Sequence, residues 1–96
     1  EGLEPAQSLV LKANIVEGLR TAARLNPTSA ILHGQLAEAS AQMGVLADAA
    51  SEAKEALRLD RLNPHADRKL PAGLRQRLQT QLPAWEEAAP PPLATP

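Results

Sequence analysis

Apolar residues recur every three or four positions along most of this chain, the spacing that gives a helix one apolar face. The first such stretch runs from about Pro5 to Leu25. Pro5 suits a first helical turn, where its missing N–H has no intrahelical partner to lose. Asn26-Pro27 then ends the stretch. The pattern predicts a second helix from Pro27 to Met43, with Asn26 as its N-cap.

Two more helices are predicted in the second half of the chain. Gly44 is expected to end helix two in the left-handed conformation, and a third helix follows from Leu46 to Leu59. Its apolar face is formed mainly by alanines. Residues 61–70 read as a loop with a short helical turn. The fourth helix is predicted over Pro71–Leu82, because leucines recur there at four-residue steps and Pro83 should stop it.

The composition favours an all-α fold made of antiparallel helix pairs. Alanine and leucine dominate, and Trp85 is the single aromatic residue, whereas strands favour β-branched and aromatic side chains. The last fourteen residues contain five prolines, which predicts a polyproline-like or flexible tail. The predicted organisation is a helical domain over residues 1–82 and a Pro-rich tail over residues 83–96.

Charge and cysteine content exclude several classes of function. The formal net charge is -1, which gives no general case for binding nucleic acid. Apolar runs fall far short of the roughly 20 residues needed to cross a bilayer, so this segment is not expected to insert into a membrane. The chain has no cysteine, which excludes disulfides and favours the cytoplasm, with the periplasm as the alternative.

No arrangement of side chains typical of an enzyme is present, and no cofactor or metal site is predicted. His33 and His65 are the only histidines, and they lie 32 residues apart. His33 is expected at a helix–helix contact and His65 in solvent. The serines lack a nucleophile motif, and the glycines are too scattered to form a phosphate-binding loop. The expected function is therefore binding without catalysis.

Two segments end in similar sequences about 34 residues apart, at Leu25-Asn26 and at Leu59-Asp60. A period near 34 with helix–turn–helix content is typical of tetratricopeptide (TPR) repeats. The segment from Asn26 to Asp60 resembles one such repeat, preceded by half of another. The positions that carry the resemblance are Leu36, Ala37, Gly44, Leu46, Ala49, Ala53 and Ala56.

The chain also departs from the repeat pattern. His33 replaces the aromatic residue of the first helix, and Ser40 replaces the family tyrosine. Ala53 occupies the phenylalanine position, and Arg61 stands where the closing proline belongs. The resemblance implies a right-handed solenoid fragment of about four helices, in which the fourth helix caps the end.

A TPR-like fold implies a protein or peptide partner bound by the exposed face of helix two. Gln35, Glu38 and Gln42 share that face and are the candidate partner-binding residues. The competing site is the basic stretch from Arg58 to Arg77, which would suit an acidic partner. Trp85 is expected to fold back onto the last helix, with a role as a partner anchor as the alternative.

A second resemblance concerns residues 57–71, which are similar to the segment that follows the last repeats in some bacterial O-antigen ligase-like membrane proteins. It implies a structural cap or dimerisation module of a glycan-handling protein. One and a half repeats are fewer than the three or so that a repeat array needs for stability. Self-association of this chain is therefore a further expectation.

Overall fold

The computed structural model describes residues 5–65 and 69–88, and these residues form four α-helices and no strand. The helices are α1 (Pro5–Leu25), α2 (Ala30–Gln42), α3 (Leu46–Leu62) and α4 (Ala72–Ala88). The predicted all-α class is confirmed. Residues 89–96 of the predicted tail lie outside the described residues.

Helix α1 has the predicted bounds, but α2 begins later than the sequence predicts. Asn26 is not the N-cap of α2. The Asn26 side-chain amide instead donates to the carbonyl of Ala22 at 3.0 Å, which gives this carbonyl near the end of α1 a hydrogen-bond donor. Ser29 N donates to Asn26 O at 3.0 Å, which closes a turn over Pro27. The N-cap is Ser29, whose hydroxyl accepts from Leu32 N at 3.2 Å.

A three-residue turn joins α2 to α3 and makes them an antiparallel pair. Gly44 adopts a φ of 80°, so the predicted left-handed residue after α2 is confirmed. Helix α3 continues to Leu62, three residues beyond the predicted end at Leu59. Asn63 is its C-cap and precedes Pro64, which disfavours helical backbone in the residue before it.

Helix α4 runs through Pro83 to Ala88, so the predicted end at Leu82 is wrong. An internal proline costs a helix about 3 kcal/mol. Beyond it, Trp85 is buried in the main core, and Glu86 forms an ion pair with Lys54 of α3 at 2.5 Å. Burial of a tryptophan is large enough to offset the proline. Trp85 does not fold back onto the last helix from a tail, as predicted; it belongs to α4 and is buried in the main core.

The main core lies between α2, α3 and α4 and is unusually rich in alanine. Ala37, Ala49, Ala53 and Ala56 are completely buried, and such small side chains let helix backbones approach closely. Leu78 of α4 is also completely buried. These alanines belong to the repeat-signature positions, among which Leu36 is also buried and Leu46 is half-buried.

Helix α1 packs on a different side of α2 through a smaller cluster. Its buried members are Val16 and Ala23 of α1 and Leu36 of α2. Half-buried leucines and Met43 surround them. Helix α2 therefore packs against α1, α3 and α4.

Glycines are used differently from the sequence expectation. Gly18 lies in the middle of α1, and a glycine at such a position predicts the close approach of a neighbouring helix. A β-carbon at Gly18 would meet nothing within 4 Å, so that expectation is wrong within the described chain. The close approach occurs at Gly34 of α2, where a β-carbon would lie 3.1 Å from Leu74 and 3.2 Å from Leu78.

Candidate functional site

The predicted partner-binding residues lie on a strip of α2 that the other described helices cover only in part. Gln35 and Gln42 are exposed, and Glu38 is half-buried. At 100° per residue, these three positions share one face. Leu36 turns toward α1 on one side of the strip, and Gly34 faces α4 on the other. The strip therefore runs between α1 and α4.

Glu38 already has a partner within the chain. Arg77 of α4 donates to both oxygens of its carboxylate, at 2.7 and 3.2 Å. This hydrogen bonding raises the pKa of the Arg77 guanidinium. The pair fixes the edge of α4 beside the strip and neutralises the only charge of the predicted triad. The surface left for a ligand is polar and presents the exposed carboxamides of Gln35 and Gln42.

His33 connects three parts of the fold, as its predicted place at a helix contact implies. Its Nδ1 lies 2.6 Å from Glu52 Oε1 of α3, and its Nε2 lies 2.9 Å from the Pro27 carbonyl oxygen. Both partners are acceptors, so both contacts are hydrogen bonds only when the imidazole carries two protons. His65, as expected, is exposed.

The pKa of His33 reflects these opposing influences. Burial lowers it, because a charged imidazolium loses hydration. The hydrogen bonds to Glu52 and to the Pro27 carbonyl, together with the negative charges of Glu52 and Glu55, raise it more. The net result is a pKa above the ordinary value of 6.5. This site holds the start of α2 against α3.

Asp60 is a structural residue that the sequence pattern did not single out. It is buried at the end of α3, and its Oδ1 accepts from Leu70 N at 2.7 Å. Arg75 lies 3.4 Å from Oδ2, and Lys69 Nζ donates to the Asp60 backbone carbonyl at 2.6 Å. Asp60 thus fixes the segment before α4. The available sequence signal is an acidic residue inside the mainly basic stretch from Arg58 to Arg77.

Ion pairs and hydrogen bonds within the chain involve several residues of the competing basic site, the stretch from Arg58 to Arg77. Lys69 and Arg75 contact Asp60, and Arg77 contacts Glu38. Arg58 donates to both carboxylate oxygens of Glu55 at 2.8 and 2.7 Å, which lowers the pKa of Glu55. Arg68 lies outside the described residues. Much of the basic stretch therefore pairs within the chain, which leaves less charge for an acidic partner.

An open groove of about 920 Å³ lies where the α1–α2 turn meets the end of α3. Its apolar lining includes Leu25 and Leu62, which are 77 % and 65 % exposed. Pro27 and Pro64, from the two Asn-Pro turns, also line it. The sequence pattern shows that Asn26-Pro27 ends the first helical stretch, but it does not predict that Pro27 and Pro64 border one groove.

The described residues contain neither a cluster of metal ligands nor a helix that could span a membrane. Among residues 5–65 and 69–88, no group of three or more His, Asp or Glu side chains could hold a metal ion. Within the same ranges, no helix has both the length and the apolar character needed to cross a membrane.

Comparison with known proteins gives no relative from which a site could be transferred. No family model, no curated protein and no solved structure matches this chain. The resemblances to TPR repeats and to O-antigen ligase-like proteins therefore remain predictions from the sequence.

Proposed function

We propose that this chain is a non-enzymatic interaction module of the TPR type that binds an extended polar segment of another protein along α2. The observation that carries the proposal is the partly covered strip of α2 between α1 and α4, on which Gln35 and Gln42 are exposed. Carboxamides both donate and accept hydrogen bonds. They suit the backbone of an extended ligand better than a single charged group would.

The helices around the strip support this proposal. The α2–α3 pair has completely buried alanines at the positions where a TPR pair needs small residues. Helix α4 packs against both members of the pair, as a following or capping helix of a solenoid would. In this proposal, the arrangement is the end of a right-handed solenoid, and α2 lines its inner surface.

The strip also has the electrostatic character that the proposal requires. Glu38 and Arg77 neutralise each other at its edge. A ligand held there gains hydrogen bonds and shape complementarity rather than net charge, so binding should depend weakly on salt. The expected affinity is modest, because a polar strip buries little apolar area.

The test compares binding by the full chain with binding by two double variants. The partner is first identified by affinity capture from the native host and then titrated as a purified protein. Gln35→Ala/Gln42→Ala should weaken binding at least tenfold while leaving the circular dichroism spectrum unchanged. Glu38 is kept, because its loss would leave Arg77 unpaired.

The matched control is Gln76→Ala/Gln79→Ala on α4. These glutamines are exposed in the same way but lie on the face of α4 that points away from the buried Leu74 and Leu78. This variant should bind as the unchanged chain does. Equal loss in both variants, or no loss in either, would exclude the α2 strip. Strong salt dependence would favour the basic stretch instead.

A further inference from the structure

A second apolar face runs along α1, separate from the face that packs on α2. It consists of Leu11, Ile15, Gly18, Ala22 and Leu25, at alternating steps of four and three residues. Leu11, Ile15 and Leu25 are 47 %, 56 % and 77 % exposed. We call these five residues the α1 stripe. Alternating four- and three-residue steps are the spacing by which one helix packs along another.

The α1 stripe does not contribute to the core of the described chain. The α1 residues buried against α2 are Val16 and Ala23. At 100° per residue, Val16 lies well over 90° around the helix from the centre of the α1 stripe. The contact with α2 therefore leaves four of the five stripe residues exposed, and Ala22 is half-buried.

Gly18, at the centre of the α1 stripe, is the clearest sign that something else packs there. A glycine in the interior of a helix costs about 1 kcal/mol relative to alanine. Among residues 5–65 and 69–88, no atom outside the adjacent part of α1 lies within 4 Å of the place that a Gly18 β-carbon would take, so no described neighbour requires this glycine. With Ile15 and Ala22 on either side, Gly18 would let a second helix approach the backbone closely.

The α1 stripe has the symmetry that pairing with a second copy requires. Leu11 and Leu25 each lie seven residues from Gly18, and Ile15 and Ala22 lie three and four residues from it. A two-fold contact uses the same surface on both subunits. We propose that two copies of this chain associate through antiparallel α1 helices that cross at Gly18.

In this arrangement, each position on the α1 stripe meets a complementary one. Leu11 of one copy lies against Leu25 of the other, and the large Ile15 lies against the small Ala22. Gly18 faces its own symmetry mate. Alternation of large and small side chains across facing positions is what close packing demands.

The residues beside the α1 stripe also tolerate this pairing. In the antiparallel arrangement, Asn14 of one copy lies beside Thr21 of the other, and Lys12 lies beside Asn26. Leu19, on the same flank as Lys12, is half-buried in the cluster between α1 and α2. No pair brings like charges together, which would oppose association. The flanks are nearly uncharged, so they favour an apolar helix over a strongly charged partner.

The groove described above extends the contact. Leu25 belongs to both the α1 stripe and the groove lining, where Leu62 is also exposed. Leu11 of the second copy would cover the Leu25 end of the groove. By symmetry, Leu11 of the first copy would cover the same end of the groove in the second copy. The stripe itself covers about 21 Å of helix. This is a small interface, so the dimer should be reversible and concentration-dependent.

The first experiment measures the sedimentation of the full chain between about 1 µM and about 1 mM. The average mass should rise toward that of a dimer. Ile15→Lys should remain monomeric throughout, with its helix content unchanged. The matched control is Val10→Lys, because Val10 is 58 % exposed on the same helix but lies off the stripe. It should dimerise normally.

A full chain that stays monomeric, or an Ile15→Lys variant that dimerises as well as Val10→Lys, would overturn the proposal. Gln35→Ala/Gln42→Ala should leave sedimentation unchanged, so that failure of this interface is distinguishable from failure of the α2 strip.

The second experiment tests the antiparallel orientation with cysteines, which the chain lacks. Gly18→Cys should form a disulfide-linked dimer on mild oxidation, since facing residues at the crossing are within disulfide reach. Leu11→Cys should cross-link with Leu25→Cys in a mixture but not with itself. Efficient Leu11→Cys self-linkage, or no Gly18→Cys linkage in a chain that sediments as a dimer, would overturn the antiparallel arrangement.

Discussion

Leu74 of α4 lies directly over Gly34 of α2, so closely that a β-carbon on Gly34 would come within 3.1 Å of the Leu74 Cδ2 atom. Leu70 and Leu78 surround the same point at 3.3 and 3.2 Å. The absence of a side chain at Gly34 therefore determines how near α4 can approach. This contact positions α4 beside the candidate binding strip.

Gly34→Leu should destabilise the fold by about 1–3 kcal/mol, because the added side chain has no space beneath the three leucines. Trp85 is the only tryptophan and is buried in α4, so its fluorescence should shift to longer wavelength if α4 moves away. Chemical denaturation followed by Trp85 fluorescence measures both effects.

The control for this variant is Gly18→Ala, in which the new β-carbon meets nothing within 4 Å. At low concentration, where the chain is monomeric, it should stabilise the protein by about 1 kcal/mol through helix propensity. Equal stability of Gly34→Leu and the unchanged chain would show that α4 does not pack on Gly34.

Ala49→Leu should also destabilise the chain by about 1–3 kcal/mol. Ala49 is completely buried in the core shared with α2. The extra atoms must separate α3 from its neighbours or adopt strained conformations. Ala47→Leu is the matched control, since Ala47 is exposed on the same helix and should change stability little. Thermal melting of both variants checks this, and equal melting temperatures would mean that the register of the α2–α3 pair is wrong.

Asp60→Ala should cost about 1–3 kcal/mol, because it leaves the buried Leu70 N–H without an acceptor. Asp60→Asn keeps an oxygen that can accept from Leu70 N and should lose less. Urea denaturation gives the two free energies of unfolding. If the alanine variant were no less stable than the asparagine variant, the Leu70 hydrogen bond would contribute nothing.

Ser40→Ala should raise stability by about 1 kcal/mol. Among the described residues, the buried Ser40 hydroxyl has no hydrogen-bond partner, and burying an unpaired hydroxyl costs free energy. Alanine removes that hydroxyl and leaves almost the same volume. Thermal melting checks the direction, and a loss of stability would show that the hydroxyl is bonded in solution.

Stability should fall as pH rises from about 6.5, the ordinary pKa of histidine, through the higher folded-state pKa of His33. The folded-state pKa of His33 is raised above 6.5, so folding favours the protonated imidazole. That contribution is fully present below the unfolded-state pKa and is lost as pH rises through the folded-state pKa. Melting temperatures measured across this range should show the decrease.

Glu52→Gln is the control for this pH dependence. It retains a side chain of the same shape but removes the charge that favours the imidazolium. The decrease with pH should become clearly smaller in this variant, while exposed His65 is present in both proteins. An unchanged pH dependence would show that the His33–Glu52 pair is not its source.

The sequence by itself determined the number, order and class of the helices, because the apolar spacing and the alanine-rich composition are local signals. It also identified Gly44, whose positive φ follows from the turn that it must make. The placement of Gln35, Glu38 and Gln42 on one face of α2 follows from helical periodicity alone, and their role in binding stays a prediction.

Only the tertiary structure decided which helix covers which face. Local rules predict that Pro83 ends α4, but the burial of Trp85 against distant helices continues the helix to Ala88. Likewise, periodicity identifies Gly18 and Gly34 as glycines within helices without showing which one meets a neighbour. The partners of Asp60 and Glu38 lie up to 39 residues away in the chain. Such contacts depend on the packing of whole helices, which no local pattern of residues specifies.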